Sequence, residues 1–599
     1  MRRAGRRRPR WAARRSRLTC RRGRPRRSAR RGRRRRRDPR RPACGPSPHG
    51  RRPARCRTRS RPAHPRGAAS AVLTHRGPCL RAWRRRLRGT SGAGGGWSCG
   101  QYATFRARAD LQLFVSPTAH ILANRFGLPS LRPLQGEIID RLMSGGDALV
   151  VMPTGSGKSL CFQLPALAMR AECDGEGVGL VFSPLIALME DQVAALRAKG
   201  IRAGCVNSTV PKEERTRRIE KLARGEYELF YATPERMEKP EFRDALDRVP
   251  GGVNLLAVDE CHCITKWGHD LRPAYQKIGA FREMLGNPIT VALTATATKA
   301  VREDVRAVLG TNERTMPLFA APIDRPNLTL RAEEVWDDRQ KIEHIVDVAK
   351  RHHGTGIVYF TLIKDLERLT PDIARAVGAQ RTVEVYHGQL PPNQRRRAYE
   401  RFAAASPDDG LLLLATPAFG MGVDKPDIRF VIHAQMPASV EAYHQEVGRA
   451  GRDGDPSECL MLFAQDDLAI QQEFVRWQNP TPDLLVRVMS DIEAKFPHDD
   501  FDSDDIRLTT VGKGHAHGQG GGVIEHALIR LADLGALERA SVQMGGPTRY
   551  RLARPIDDAE IDAEELDAKL KRDLMRLLDV VKLARSGDIP AFVRGYFDL

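Results

Sequence analysis

Met152 to Ser159 reads M-P-T-G-S-G-K-S, between a short apolar run and a helical pattern. Gly155 and Gly157 allow a tight backbone turn whose N–H groups can face one anion. Lys158 offers an ammonium to the outer phosphates, and Ser159 a hydroxyl to a divalent cation. Thr154 and Ser156 complete the loop. Met152 stands where the general pattern has its first glycine, so the strand–loop–helix setting carries the assignment. The chemistry is phosphate binding.

About a hundred residues on, N-L-L-A-V runs into Asp259 and Glu260. A carboxylate at the C-terminal end of a parallel strand sits beside such a loop. Asp259 is suited to hold Mg²⁺, and Glu260 to orient and deprotonate an attacking water. Together these residues point to phosphoryl transfer from a nucleoside triphosphate bound with Mg²⁺. The next residues, Cys261-His262-Cys263, raise a metal reading. Structural zinc takes C-x(2–4)-C and a second ligand pair, and no second cysteine pair exists here. No zinc site is expected, and the two cysteines read as small semi-buried hydrophobes.

These residues need a scaffold. Apolar runs of strand length (A-L-V-V-M, G-L-V-F-S, L-F-Y-A-T, N-L-L-A-V-D, T-V-A-L-T-A) alternate with helical patterns, and the rhythm restarts after Pro326. That is the signature of βαβ units and parallel sheets. We expect α/β domains over residues 114–325 and 326–468, a connector over 469–503, and a helix–hairpin unit resembling a winged helix over 504–555. A charged helical tail spans 556–599. In the hairpin, Tyr550 is a candidate strand-separating wedge, with a small core aromatic as the alternative.

The net charge of +26 is misleading. Residues 1–100 hold 36 Arg, no Lys and one acid, Asp38, so the remainder carries −9, the difference between +26 and +35. Any nucleic-acid groove in the body must be a local patch. The Arg-, Pro- and Gly-rich segment 1–113 is expected to be a disordered leader. Its composition suggests a misplaced start, with the native one near Val115. A nucleic-acid tether and an organellar transit segment are the alternatives. Five of the 11 cysteines fall before residue 100, without a framework spacing, which suits a reducing compartment.

Further motifs carry a resemblance to superfamily 2 helicases, and among them to the RecQ family, over about 350 residues from Phe126 to Leu468. R-F-G-L-P-S-L-R-P-L-Q resembles motif 0, where Arg132 and Gln135 would contact adenine. S-P-L-I-A-L-M-E-D-Q-V (183–193), Y-A-T-P-E-R (231–236) and L-T-A-T-A-T (293–298) resemble motif Ia, a strand-contact motif and motif III. T-P-A-F-G-M-G-V-D-K-P (416–426) resembles motif V, and Q-E-V-G-R-A-G-R-D-G (445–454) motif VI. In motif VI, Gln445, Arg449 and Arg452 fall at helical steps. The resemblance makes Arg452 the first candidate for an arginine finger and Arg449 the second. I-T-K-W-G-H-D-L-R-P-A-Y resembles the aromatic-rich loop that senses single-stranded DNA, so Trp267, His269 and Arg272 are candidate DNA contacts. Leu271 stands where the family has an aromatic, and no cysteine follows Cys459 to build the family's zinc module.

The resemblance implies two tandem RecA-like domains and an ATP-dependent 3′→5′ helicase acting on single-stranded and forked DNA in repair or recombination. It also implies a bacterial-type, cytoplasmic, nucleoid-associated protein. The rivals are an RNA helicase, a translocase or annealing protein without unwinding, and a non-catalytic DNA-binding module.

Overall fold

The computed structural model describes residues 117–598, apart from Thr154, Ser208 and the stretches 266–272, 421–424, 511–520 and 543–547. The expected leader lies outside these residues. Helix α1 (Pro133–Met143) leads to strand β1 (Ala148–Val151), apolar and buried at every position. Helix α2 (Leu160–Glu172) follows the glycine loop. The first sheet adds β2 (Val178–Phe182), β3 (Ala203–Val206), β4 (Leu229–Ala232), β5 (Val253–Val258) and β6 (Ile289–Thr294). After helix α3 (Lys299–Val308) comes β7 (Leu318–Ala320).

The strand order is β3-β4-β2-β5-β6-β1-β7, with every pairing parallel. Parallel neighbours need crossovers, and the crossover helices cover both faces. That explains the unbroken apolar strands. Successive residues serve opposite cores: Val150 and Leu255 pack on one face, Leu149 and Leu256 on the other.

The second lobe repeats the plan with β8 (Leu328–Glu334), β9 (Thr355–Tyr359), β10 (Thr382–Tyr386), β11 (Leu411–Ala415), β12 (Ile428–His433), helix α4 (Val440–Val447) and β13 (Ser457–Phe463). Its order is β10-β11-β9-β12-β13-β8, again parallel. Helix α5 (Gln465–Gln478) follows. Helices α6 (Pro482–Lys495), α7 (Ser503–Thr510) and α8 (Gly521–Asp533) then precede an antiparallel hairpin of β14 (Leu537–Val542) and β15 (Thr548–Leu552). This unit has its own core, including Leu485, Ile492, Phe501, Leu528 and Leu531. The hairpin and α8 fall within the 504–555 unit expected from the sequence, while α6, in the segment expected to be a connector, packs into the same core. Helices α9 (Ala563–Ala584) and α10 (Ile589–Phe597) return to the second lobe, where Val580, Leu583 and Phe597 join the cluster of Leu413 and Tyr443.

Candidate functional site

Three adjacent strand ends build the site. Neighbours β5, β6 and β1 terminate beside Asp259, Thr294 and Met152. Val151 is in register with Thr294, and the Met152 N–H donates to the Thr294 carbonyl at 3.0 Å. The loop after β1 turns on Gly155 (φ 78°) and Gly157 (φ 84°), where side chains are disfavoured. Space agrees with torsion: a Cβ on Gly157 would stand 2.5 Å from Gln135 Nε2. Lys158 Nζ donates to the Met152 carbonyl at 3.1 Å, and Ser156 Oγ–H to the Pro153 carbonyl at 2.6 Å. Ser159 stands at the start of α2. Thr154 lies outside the described residues.

Arg132 and Gln135, expected at adenine, lie on this loop. Gln135 is 4% exposed; its Nε2 donates to the carbonyls of Ser156 (3.2 Å) and Gly157 (3.1 Å). Its Oε1 accepts the Arg132 N–H at 2.9 Å, and Arg132 Nη1 donates to the Gly155 carbonyl at 3.1 Å. Both residues thus brace the loop backbone.

Asp259 is 6% exposed and anchored on all sides. Its N–H donates to the Phe182 carbonyl (2.8 Å), its Oδ1 accepts the Glu260 N–H (3.1 Å), and its carbonyl accepts the Tyr275 hydroxyl (3.3 Å). Burial, and then the charge of Glu260, push its carboxyl up to about 7. Lys158, the Glu260 N–H and His262 pull the other way. Glu260 itself adopts a left-handed backbone (φ 47°), a strain of about 1–3 kcal/mol for a residue with a Cβ. That turn swings its carboxylate off the strand direction.

His262 Nδ1 lies 2.9 Å from Thr294 Oγ1 and 3.3 Å from Glu260 Oε2. The Thr294 hydroxyl donates to the Thr296 carbonyl at 3.0 Å, so it accepts from His262, which fixes the proton on Nδ1. His262 therefore links the β5 carboxylates to motif III. The flanking cysteines are buried, and burial pushes the Cys261 thiol up.

The second lobe faces this edge with α4 and the turn after it. A Cβ on Gly155 would come within 3.1 Å of Arg452 Cδ. Arg449, 6% exposed, turns inward, where its Nη2 would lie 3.0 Å from a Cβ on Gly420, while the nearby Tyr359 hydroxyl donates to the Phe419 carbonyl at 2.9 Å. Gln445 lines the gap between lobes with Pro153 and Ala295. Glycine turns that a side chain would fill, an ammonium, a buried carboxylate and an arginine across the gap suit a nucleoside triphosphate with its Mg²⁺. Lys158, Gly155 and Gly157 would hold the phosphates, Ser159 and Asp259 the cation.

Tyr550 corrects an expectation. It is 3% exposed, its backbone bridges Phe501, and its ring stacks on Phe501 at 6.4 Å. The pleat of β15 aims it into the unit's core, so it is not an exposed wedge. Trp267, His269 and Arg272 lie outside the described residues.

Two contacts escaped the sequence reading. His433 Nε2 pairs with Glu446 at 2.7 Å beneath α4, both side chains buried. Arg302 joins α3 to α10, as described below. The only signal for the first was a histidine ending an apolar strand; the second left none.

Residues 132–304 match the DEAD/DEAH box helicase family, and residues 340–454 the helicase conserved C-terminal domain. The chain is 38% identical over 384 residues to the probable ATP-dependent DNA helicase RecS of Bacillus subtilis, across 64% of this chain and 74% of that protein. It is 42% identical over 356 residues to the ATP-dependent DNA helicase RecQ of the same organism, across 59% of this chain and 57% of that one. The chain thus spans about three quarters of the first relative and under two thirds of the second. The solved structure of Mycobacterium smegmatis helicase Lhr with single-stranded DNA and AMP-PNP aligns at TM-score 0.47 and 21% identity, over 74% of this chain and 60% of that one.

Proposed function

This chain belongs to the RecQ family of ATP-dependent DNA helicases, and we propose that it hydrolyses ATP between its lobes to move 3′→5′ along single-stranded DNA and open the duplex ahead. The observation that carries this reading is Arg452 of the second lobe resting on Gly155 of the first.

Bound ATP supplies the phosphoryl group, and Mg²⁺ neutralises its charge. The rest falls to the protein. Lys158 and the loop amides hold the outer phosphates. Glu260 orients the attacking water and accepts its proton at the carboxylate. His262, bonded to Thr294, carries the state of that carboxylate to motif III. Arg452 stabilises developing charge only when the lobes are closed. An arginine finger is worth roughly 10³–10⁵ in turnover, so hydrolysis is tied to closure, and closure to stepping.

DNA crosses both lobes, held chiefly at phosphates. Trp267, His269 and Arg272 remain the proposed DNA contacts, a base stacked on an aromatic being worth about 1–3 kcal/mol. Forked DNA in repair or recombination is the working substrate. Among the described residues no helix is long and apolar enough to cross a membrane, and we place the protein at the nucleoid of a bacterial-type cell. Leu271, where the family has an aromatic, favours one second reading: a DNA-stimulated translocase or annealing protein with weak unwinding. Duplexes with a 3′ or a 5′ single-stranded tail separate the readings. ATP-dependent opening of the 3′-tailed duplex alone supports the first; turnover without opening of either supports the second.

A further inference from the structure

Helix α10 is built into the second lobe yet ends on the first. Ile589, Val593 and Phe597 belong to that lobe's apolar cluster. The Phe597 ring lies 5.4 Å from that of His444, and the Tyr596 hydroxyl donates to Glu441 Oε1 at 2.9 Å. Both partners are on α4. Arg594 pairs at 2.8 Å with Asp324, in the segment joining the lobes. Packing, a ring contact and a hydrogen bond therefore make α10 and α4 one body.

The far end of α10 meets α3. Arg302, 6% exposed, donates from Nη1 to the Phe597 carbonyl at 3.1 Å, and its Nη2 lies 3.4 Å from Asp598 Oδ2. That carbonyl is among the acceptors a helix leaves unsatisfied at its C-terminus, and Asp598 turns left-handed (φ 52°) to end the helix. A guanidinium there satisfies the carbonyl and meets the negative end of the helix dipole.

The surrounding interface is not close-packed. A cavity of about 400 Å³ separates Pro153 and Ala295 of the first lobe from His444 and Gln445 on α4 and Val593 and Arg594 on α10. Protein cores hold few voids larger than a water. A gap of this size marks a contact that can part, bridged at one edge by Arg302.

We propose that Arg302 is a positioning residue for hydrolysis: by capping α10 it sets α4, and with it Arg452, against the phosphate loop. This rests on the finger reading of Arg452. Closure is then fixed at two separated points, Arg452 on Gly155 and Arg302 on Phe597. Opening of the cleft breaks both together.

The test is a double-mutant cycle in the full chain. Arg302→Gln should lower kcat for DNA-stimulated hydrolysis roughly 3- to 30-fold, and Arg302→Lys should restore part of it. Tyr596→Phe, which cuts the hydrogen bond between α10 and Glu441 of α4, should lower kcat in the same direction. In an Arg452→Ala background, Arg302→Gln should cost nothing further, because Arg302 acts on hydrolysis only by placing Arg452. Losses that multiply, or no loss in Arg302→Gln alone, overturn the proposal. Should Arg452→Ala keep full turnover, the finger reading fails by itself. Hydrogen exchange then decides: nucleotide-free Arg302→Gln should exchange faster over residues 152–160 and 440–452, and unchanged exchange overturns the positioning role whatever the turnover.

Discussion

Arg452 lies on Gly155 across the gap between two lobes, 3.1 Å from where a Cβ on that glycine would stand. Arg449 is buried within its own lobe, against Gly420. The two arginines of motif VI therefore differ in what they can reach. Arg452→Ala should lower kcat about 10³–10⁵-fold while binding a non-hydrolysable ATP analogue within a few-fold of wild type. Arg449→Ala should also lower the melting temperature, since it empties a buried site that the side chain fills against Gly420. Steady-state kinetics and thermal melts check both. More than a tenth of wild-type turnover in Arg452→Ala counts against the finger.

Asp259 carries a conflict between stability and function. Its carboxyl is raised from 3.8 to about 7 by burial and by Glu260. The folded protein thus binds more protons than the unfolded one between those values, and stability is lost as pH rises through that window. Asn cannot ionise. Without nucleotide or Mg²⁺ at pH 8, Asp259→Asn should melt above wild type by roughly 2–4 °C, while hydrolysis disappears. A lower melting temperature would contradict the electrostatic reading.

His444 gives the opposite dependence. Burial, then Arg325 and Lys158, hold its pKa down from 6.5 to about 4. The unfolded chain takes up the proton first. The stabilisation is complete above pH 6.5 and is lost as pH falls towards 4, by up to about 1.4 kcal/mol per pH unit. Melting temperatures of wild type and His444→Gln between pH 7 and 5 isolate this group. Wild type should fall more steeply; parallel curves would rule the effect out.

Tyr550 should matter for folding, not for strand separation. Tyr550→Ala removes a buried ring stacked on Phe501, a loss of about 3–5 kcal/mol for large aromatics. Tyr550→Phe keeps the packing and should unwind forked DNA at the wild-type rate. A selective unwinding defect in Tyr550→Phe would restore the wedge.

Local pattern made much of this legible. The glycine loop, the strand-borne Asp259 and Glu260 and the apolar strands each announce themselves within ten residues, because phosphate binding and parallel pairing constrain neighbours in the chain. The side on which Tyr550 points depends on pleat and on Phe501, some fifty residues away. Arg302 and Phe597 are 295 residues apart, and a helix-surface arginine carries no mark of the carbonyl it will cap. Gln135 was legible as a site residue, but its bonds to the loop backbone follow from how α1 sits on β1.

The most direct measurement is ATP hydrolysis by the full chain with and without single-stranded DNA, with RNA as comparison and Lys158→Ala as control. Turnover that rises with DNA, rises little with RNA and vanishes in Lys158→Ala is the predicted result. Turnover indifferent to DNA, or surviving in Lys158→Ala, would contradict a DNA-coupled motor working at this cleft.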